Sequence, residues 1–210
     1  QTIRLMRFVM PNEYKQLKPF MCSSNINIYL EEMVSLLKNI DLDSVTQLRD
    51  TLYHCWKNKK SVFLIGNGGS EANATHLAND LIYGLAKTGK NRGLKAISLS
   101  SNTSVSTAIS NDEGYEFVYS HQLETLAEEG DLLLAFSGSG NSKNIINCLK
   151  VARNMGVKTA GFLGFDGGAS KRLLDICIHT KTNNMQLSED LQIILGHSVA
   201  RDLCEIANSN

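Results

Sequence analysis

A parallel α/β sheet covered by helices on both faces is the fold class this sequence predicts. Two observations carry it. Short, almost continuous apolar runs such as SVFLIG (61–66) and DLLLAFS (131–137) lack the polar alternation of a strand with one wet face, and strands buried on both sides belong to parallel sheets. Stretches with helical apolar spacing lie between such runs, so strand and helix alternate along the chain.

Taken in order, two helical patterns precede any strand. These are YLEEMVSLLKNI, with its pattern starting at about Ile28, and DLDSVTQLRDTLYHCWKNKK behind an N-cap at Asp41 or Asp43. SVFLIG is the first strand and runs into NGGSEANATHLANDLIYGL, helical from about Glu71. LKAISLS (94–100) is the second strand, TSVSTAISNDEGY a loop with a short helix, and SHQLETLAEEG a helix. DLLLAFS is the third strand and NSKNIINCLKVARNMG a helix that Gly156 ends. KTAGFLG (158–164) and DICIHT (175–180) are the fourth and fifth strands, with DGGASKRLL between them as a short helix or turn. LSEDLQIILGHSVARDLCEIAN (187–208) is the last helix. Residues 1–25 hold both prolines, Pro11 and Pro19, in an irregular pattern and read as an N-terminal arm. Residues 26–210 read as one domain with no linker and no repeat.

Composition narrows the function. Apolar residues make up 42% and charged residues 20%, as in a packed soluble protein. The 21 basic and 21 acidic residues cancel, which argues against a nucleic-acid partner or an anionic membrane surface. No apolar run has the length of a membrane span, and no secretory signal pattern is seen. Five scattered cysteines, Cys22, Cys55, Cys148, Cys177 and Cys204, fit buried thiols in a reducing compartment rather than a disulfide framework or zinc ribbon. The expectation is a cytoplasmic protein.

Parallel sheets bind ligands at the carboxyl ends of their strands. Two Gly/Ser-rich loops fall at such places: GNGGS (66–70) and SGSGNS (137–142). Each is either an ordinary strand-to-helix turn or an anion cradle. A helix N-terminus carries unpaired N–H groups and about half a positive charge. Glycines allow close backbone approach, and hydroxyls rotate to donate to phosphate oxygens. Ser137, Ser139 and Ser142, with Gly140, offer this without a lysine or arginine. Neither loop is a Walker A or a dinucleotide fingerprint, so a phosphate monoester is expected and no nucleotide cofactor.

Acid–base groups come from two helices. THLANDL sets His76 and Asp80 four apart on one helical face, and SEDLQIILGHS sets Glu189 and His197 about two turns apart. Together they make a candidate four-ligand site for zinc or another divalent ion, or a metal-free general acid and base. Taken singly, His76 could simply pair with Asp80, and His197 could be a core histidine.

GNGGSEANATHLANDL, AISNDEGYEF, FSGSGNSKNIINCLK, GFDGG and the late SED…GHSVARDLCE together resemble the sugar isomerase (SIS) domain family over about residues 28–208. Within it they are most similar to the phosphoheptose isomerases, which convert sedoheptulose 7-phosphate to a heptose 7-phosphate. The resemblance implies a single SIS domain, a three-layer α/β/α arrangement around a five-stranded parallel sheet, and a homotetramer with sites at subunit boundaries. It implies that Ser137, Ser139 and Ser142 hold the sugar phosphate, that Asn67, Gly68 and Ser70 face the sugar, and that Asp112 belongs to the site. It implies zinc held by His76, Asp80, Glu189 and His197, with Asp80 and His197 as the proton-transfer pair.

Four positions depart from the family pattern. Asp80 stands where a glutamate is usual, Glu189 where a metal-binding glutamine is usual, Gly138 in place of a threonine, and Gly84 in place of an arginine. The alternatives are an isomerase of another sugar phosphate in capsule or lipopolysaccharide sugar supply, and a non-catalytic SIS module that senses a phosphosugar or binds a protein.

Overall fold

The computed structural model describes residues 23–87 and 92–209. Residues 1–22 of the expected arm, Cys22 among them, lie outside the described residues, and the first helix, α1, already begins at Ser23 and runs to Lys38. The order continues with α2 (Leu42–Lys57), β1 (Ser61–Ile65), α3 (Gly69–Asn79), a π-helical turn (Asp80–Gly84) and β2 (Lys95–Ser98). Next come α4 (Thr103–Asp112), a 3-10 turn (Tyr115–Phe117), α5 (Ser120–Leu126), β3 (Leu132–Ser137) and α6 (Lys143–Asn154). The chain closes with β4 (Lys158–Leu163), a second 3-10 turn (Ala169–Leu173), β5 (Ile176–His179) and α7 (Met185–Ser209).

All five strands pair in parallel, in the order β2-β1-β3-β4-β5. The chain leaves β1 toward one edge and returns to place β3 on its other side. The topological switch point, where open α/β sheets bind ligands, therefore lies between β1 and β3. Their two outgoing loops are the Gly/Ser-rich loops at 66–70 and 137–142.

The apolar strands divide their side chains between two cores. Val62, Leu64, Leu132, Leu134 and Phe136 pack with α2, α3 and α7, while Phe63, Ile65, Leu133 and Ala135 pack with α5 and α6. This is the period of two expected of a strand buried on both faces. Each fully buried Leu or Phe contributes about 1.5–3 kcal/mol.

Helix boundaries follow local chemistry. Asp41 is the cap of α2, accepting from the Asp43 N–H and the Ser44 hydroxyl, and the hydroxyl holds its carboxyl below the usual range. α4 is a full helix rather than a loop with a short one, because Asn102 caps it by accepting from the Val105 N–H. α3 starts at Gly69, earlier than Glu71, directly after the positive-φ turn at Gly68. Among the described residues no helix is long and apolar enough to cross a membrane.

Candidate active site

A cavity of about 170 Å³ opens between the loops after β1 and β3. Asn67, Gly68, Gly69 and Ser70 line it from one side, Ser137, Ser139 and Ser142 from the other, with Met185 and Glu189 from α7. In the second loop the Ser137 Oγ accepts the Gly140 N–H at 3.1 Å and the Ser139 Oγ accepts the Asn141 N–H at 3.2 Å. Both hydroxyls thus keep their own protons to donate. Ser142 is the N-cap of α6 but makes no side-chain cap bond; the Ile145 N–H is taken by the Asn144 Oδ1, and the first two N–H groups, of Lys143 and Asn144, point out of the helix end. Gly140, at φ 66°, packs so tightly that a Cβ would run into the Gly167 carbonyl. The sequence-predicted residues Asn67, Gly68, Ser70, Ser137, Ser139 and Ser142 therefore meet around one space. Asp112 does not line it: its exposed side chain accepts from the Asn111 amide at 2.8 Å at the end of α4.

A second cluster forms where α3 meets α7. The His76 and His197 Nε2 atoms are 2.9 Å apart, and the Asp80 Oδ2 is 3.6 Å from the first and 3.5 Å from the second. The imidazoles are half exposed and Asp80 is 28% exposed. Asp80 opens the π-helical turn, a local widening that recurs at functional sites. The helices advance together, with Asn73 beside Gln192 and Leu77 beside Gly196, so α3 and α7 run parallel. The Asn73 carboxamide fixes this register by donating to the Glu189 carbonyl at 2.8 Å and to the Gln192 Oε1 at 3.1 Å.

These three groups fit a divalent ion. A tetrahedral zinc ion with bonds of about 2.0–2.1 Å spaces its ligand atoms about 3.3–3.4 Å apart. The separations here bracket that spacing, and the three ligand atoms lie within 4.8 Å of one another. Two imidazoles and one carboxylate, with a position left open, form a catalytic rather than a structural donor set.

Glu189, expected as a fourth ligand, is not part of this group. It lies eight residues before His197, about 12 Å along the helix axis. Its carboxylate rests instead against Gly69, where any Cβ would run into it. It faces the cavity that the serines line.

Four residues with a place at the site were not singled out in the sequence. Met185 packs its thioether against Gly138, filling the space a side chain there would take. Asn144 and Tyr115 hydrogen-bond to Asn67. Tyr119 donates to the Gly66 carbonyl at the head of the first loop, and burial pushes its hydroxyl pKa far up. An amide buried in the first turn of a helix, directly after a phosphate-type loop, was the one available signal for Asn144.

A parallel five-stranded sheet with a serine cradle at the switch point and a His/Asp/His cluster beside it defines a phosphosugar-binding SIS fold. The SIS domain family model matches residues 28–164, and the chain belongs to the SIS domain family. Its relatives are phosphoheptose isomerases. It is 46% identical to that of Aliarcobacter butzleri over 145 residues, 69% of this chain and 76% of the relative. It is 38% identical to that of Campylobacter concisus, over 83% of this chain and 88% of the relative. The solved structure of phosphoheptose isomerase from Neisseria gonorrhoeae superposes with a TM-score of 0.79 at 27% identity, covering 89% of this chain and 98% of that one.

Proposed function

We propose that the chain is a phosphoheptose isomerase that interconverts sedoheptulose 7-phosphate and D-glycero-D-manno-heptose 7-phosphate through an enediol. One observation carries the reading: the serine cradle opens beside α7, the helix that brings His197 to His76 and Asp80. Ser137, Ser139, Ser142 and the N-terminus of α6 hold the phosphate. Asn67, Gly68 and Ser70 hold the sugar, and Asp112, which the resemblance assigns to the site, lies outside the cavity at the end of α4.

With no metal bound, Asp80 and His197 transfer the protons; as metal ligands the same atoms are taken, so the two roles compete. One takes a proton from the carbon beside the carbonyl while the other protonates the carbonyl oxygen, which gives the enediol. The first then returns its proton to the neighbouring carbon as the second accepts the hydroxyl proton. His76, Asp80 and His197 would hold a zinc ion, which when bound supplies Lewis-acid polarisation of the carbonyl. Glu189 adds negative charge on the cavity side of that site.

The reading extends to a cytoplasmic homotetramer that supplies heptose for lipopolysaccharide. Burial pushes the Cys55 thiol up to about 11, and the Cys148 thiol rises for the same reason, as fits inert reduced cysteines. α1 leaves Ile26, Leu30 and Val34 exposed by 63, 55 and 50% at a spacing of four, an apolar stripe suited to a second copy. One observation favours a different sugar phosphate: Gly84 opens onto free space where the family carries an arginine.

The test is metal analysis of protein purified without chelator, joined to turnover of sedoheptulose 7-phosphate with and without added zinc. Stoichiometric metal with turnover is the expected result. Metal without turnover moves the assignment to another sugar phosphate, and the absence of both moves it to a sensing module.

A further inference from the structure

The first loop of the cavity, the start of α6 and the 3-10 turn at Tyr115–Phe117 meet in one hydrogen-bond node, and the polarity of that node is fixed. Asn144, 2% exposed in the first turn of α6, accepts the Ile145 N–H on its Oδ1 at 3.0 Å. A backbone N–H can only donate, so this oxygen is oriented without ambiguity. The same oxygen accepts from the Asn67 Nδ2 at 3.0 Å, and the Asn144 Nδ2 donates to the Asn67 Oδ1 at 2.8 Å. From the 3-10 turn the Tyr115 hydroxyl donates to the same Asn67 Oδ1 at 2.8 Å.

The hydrogen-bond ledger of Asn67 follows. Its oxygen is occupied by two donors, and one of its two N–H protons is used on Asn144. Since Asn67 lines the cavity, one N–H remains for a ligand. We propose that Asn144 and Tyr115 are positioning residues that turn Asn67 into a donor-only group toward the oxygen at the reacting end of the sugar. The role rests on the reading of this cavity as the sugar-phosphate site. An asparagine free to rotate would present its oxygen half of the time and repel an oxygen that gathers negative charge in the enediol-forming step. A fixed N–H stabilises that charge without reorganisation.

Asn144→Asp separates this from plain packing. The new carboxylate still accepts from Ile145 and from Asn67, but it has no proton for the Asn67 oxygen, which loses one of the two donors that fix its orientation. With sedoheptulose 7-phosphate, kcat is expected to fall about tenfold to a hundredfold while KM stays within about twofold. Tyr115→Phe removes one donor from a ring that is 55% exposed and leaves the fold intact. Its kcat is expected to fall about two- to tenfold. Unchanged kcat in both variants overturns the proposal, as does a KM effect with kcat preserved.

The second readout needs no turnover. In ¹⁵N-labelled, ligand-free protein, one Asn67 side-chain N–H exchanges slowly and the other fast, and Tyr115→Phe shifts the pair. Fast exchange of both protons overturns the proposal. The expected exchange pattern without wild-type turnover upholds the positioning of Asn67 and refutes the substrate assignment instead.

Discussion

Asp80→Asn preserves shape and removes one charge from the His76/Asp80/His197 cluster, so its effect can be worked from the geometry. The carboxylate lies 3.5–3.6 Å from both imidazole Nε2 atoms. A unit charge at that distance is worth about 1 kcal/mol in water and about 5 kcal/mol at an effective permittivity of 20. Exposure of 28% for Asp80 and about half for each imidazole calls for a discount toward the wet limit, to about 2 kcal/mol per unit charge. A divalent ion feels roughly twice that, which converts to a loss of about a hundredfold to a thousandfold in affinity. The assay is zinc competition against a chromophoric chelator, starting from metal-free protein. Glu189→Gln is the control, since its carboxylate lies over Gly69 rather than in the cluster, and it is expected to weaken zinc less than about fivefold. Equal losses for both variants would refute the three-ligand geometry, and so would an Asp80→Asn protein that binds zinc like the wild type.

Further consequences test the cradle and its support. Ser139→Ala removes a hydroxyl proton that faces the cavity and is expected to raise KM about five- to tenfold with kcat within about twofold; an unchanged KM in steady-state turnover counts against phosphate binding there. Asp131, 4% exposed, accepts the Ser61 N–H at 2.9 Å and the Glu128 N–H at 3.0 Å. Asp131→Ala leaves both donors unpaired and should cost about 2–5 kcal/mol in urea unfolding; a loss below about 1 kcal/mol would show that water replaces the carboxylate. The Tyr29 hydroxyl donates to Asp190 at 2.5 Å, and burial, with Asp190 second, lifts its pKa from 10.0 to about 12. The folded protein holds this proton more tightly, so the contribution is complete below pH 10 and fades as pH climbs toward 12. Tyr29→Phe is expected to cost about 1 kcal/mol at neutral pH and to abolish that alkaline loss; an identical pH profile for both proteins would contradict the assignment.

The strands and both loops were legible because burial on two faces leaves an apolar run that composition alone reveals, as in Leu132–Ser137. The place of Ser137, Ser139 and Ser142 on the cavity wall was legible because they follow directly on the end of a buried strand. The cluster was legible only in part. His76 and Asp80 are neighbours on one helix, which spacing shows, whereas their meeting with His197 depends on α3 and α7 running parallel, which spacing does not. That Glu189 stands apart from these three was not legible either, because a linear string carries no axial distance, and a helix separates residues eight apart by about 12 Å. The π-helical turn at Asp80–Gly84 left no compositional trace, because a shifted hydrogen bond needs no special residue. Asn144 and Tyr115 stayed invisible for a related reason: their partner, Asn67, lies 77 and 48 residues away.

The pairing of α3 with α7 divides the His/Asp/His cluster along the chain. Both Gly/Ser-rich loops, His76 and Asp80 precede residue 164, where the family match ends, but His197 stands on a helix that begins only at Met185. The cluster is thus completed only by the last segment of the chain, joined through the stretch between β5 and α7. Replacing that last helix would leave His76 and Asp80 without their third group and take Met185 and Glu189 from the cavity wall. A nick in the joining stretch that let the helix drift would open the cluster while leaving the five strands paired.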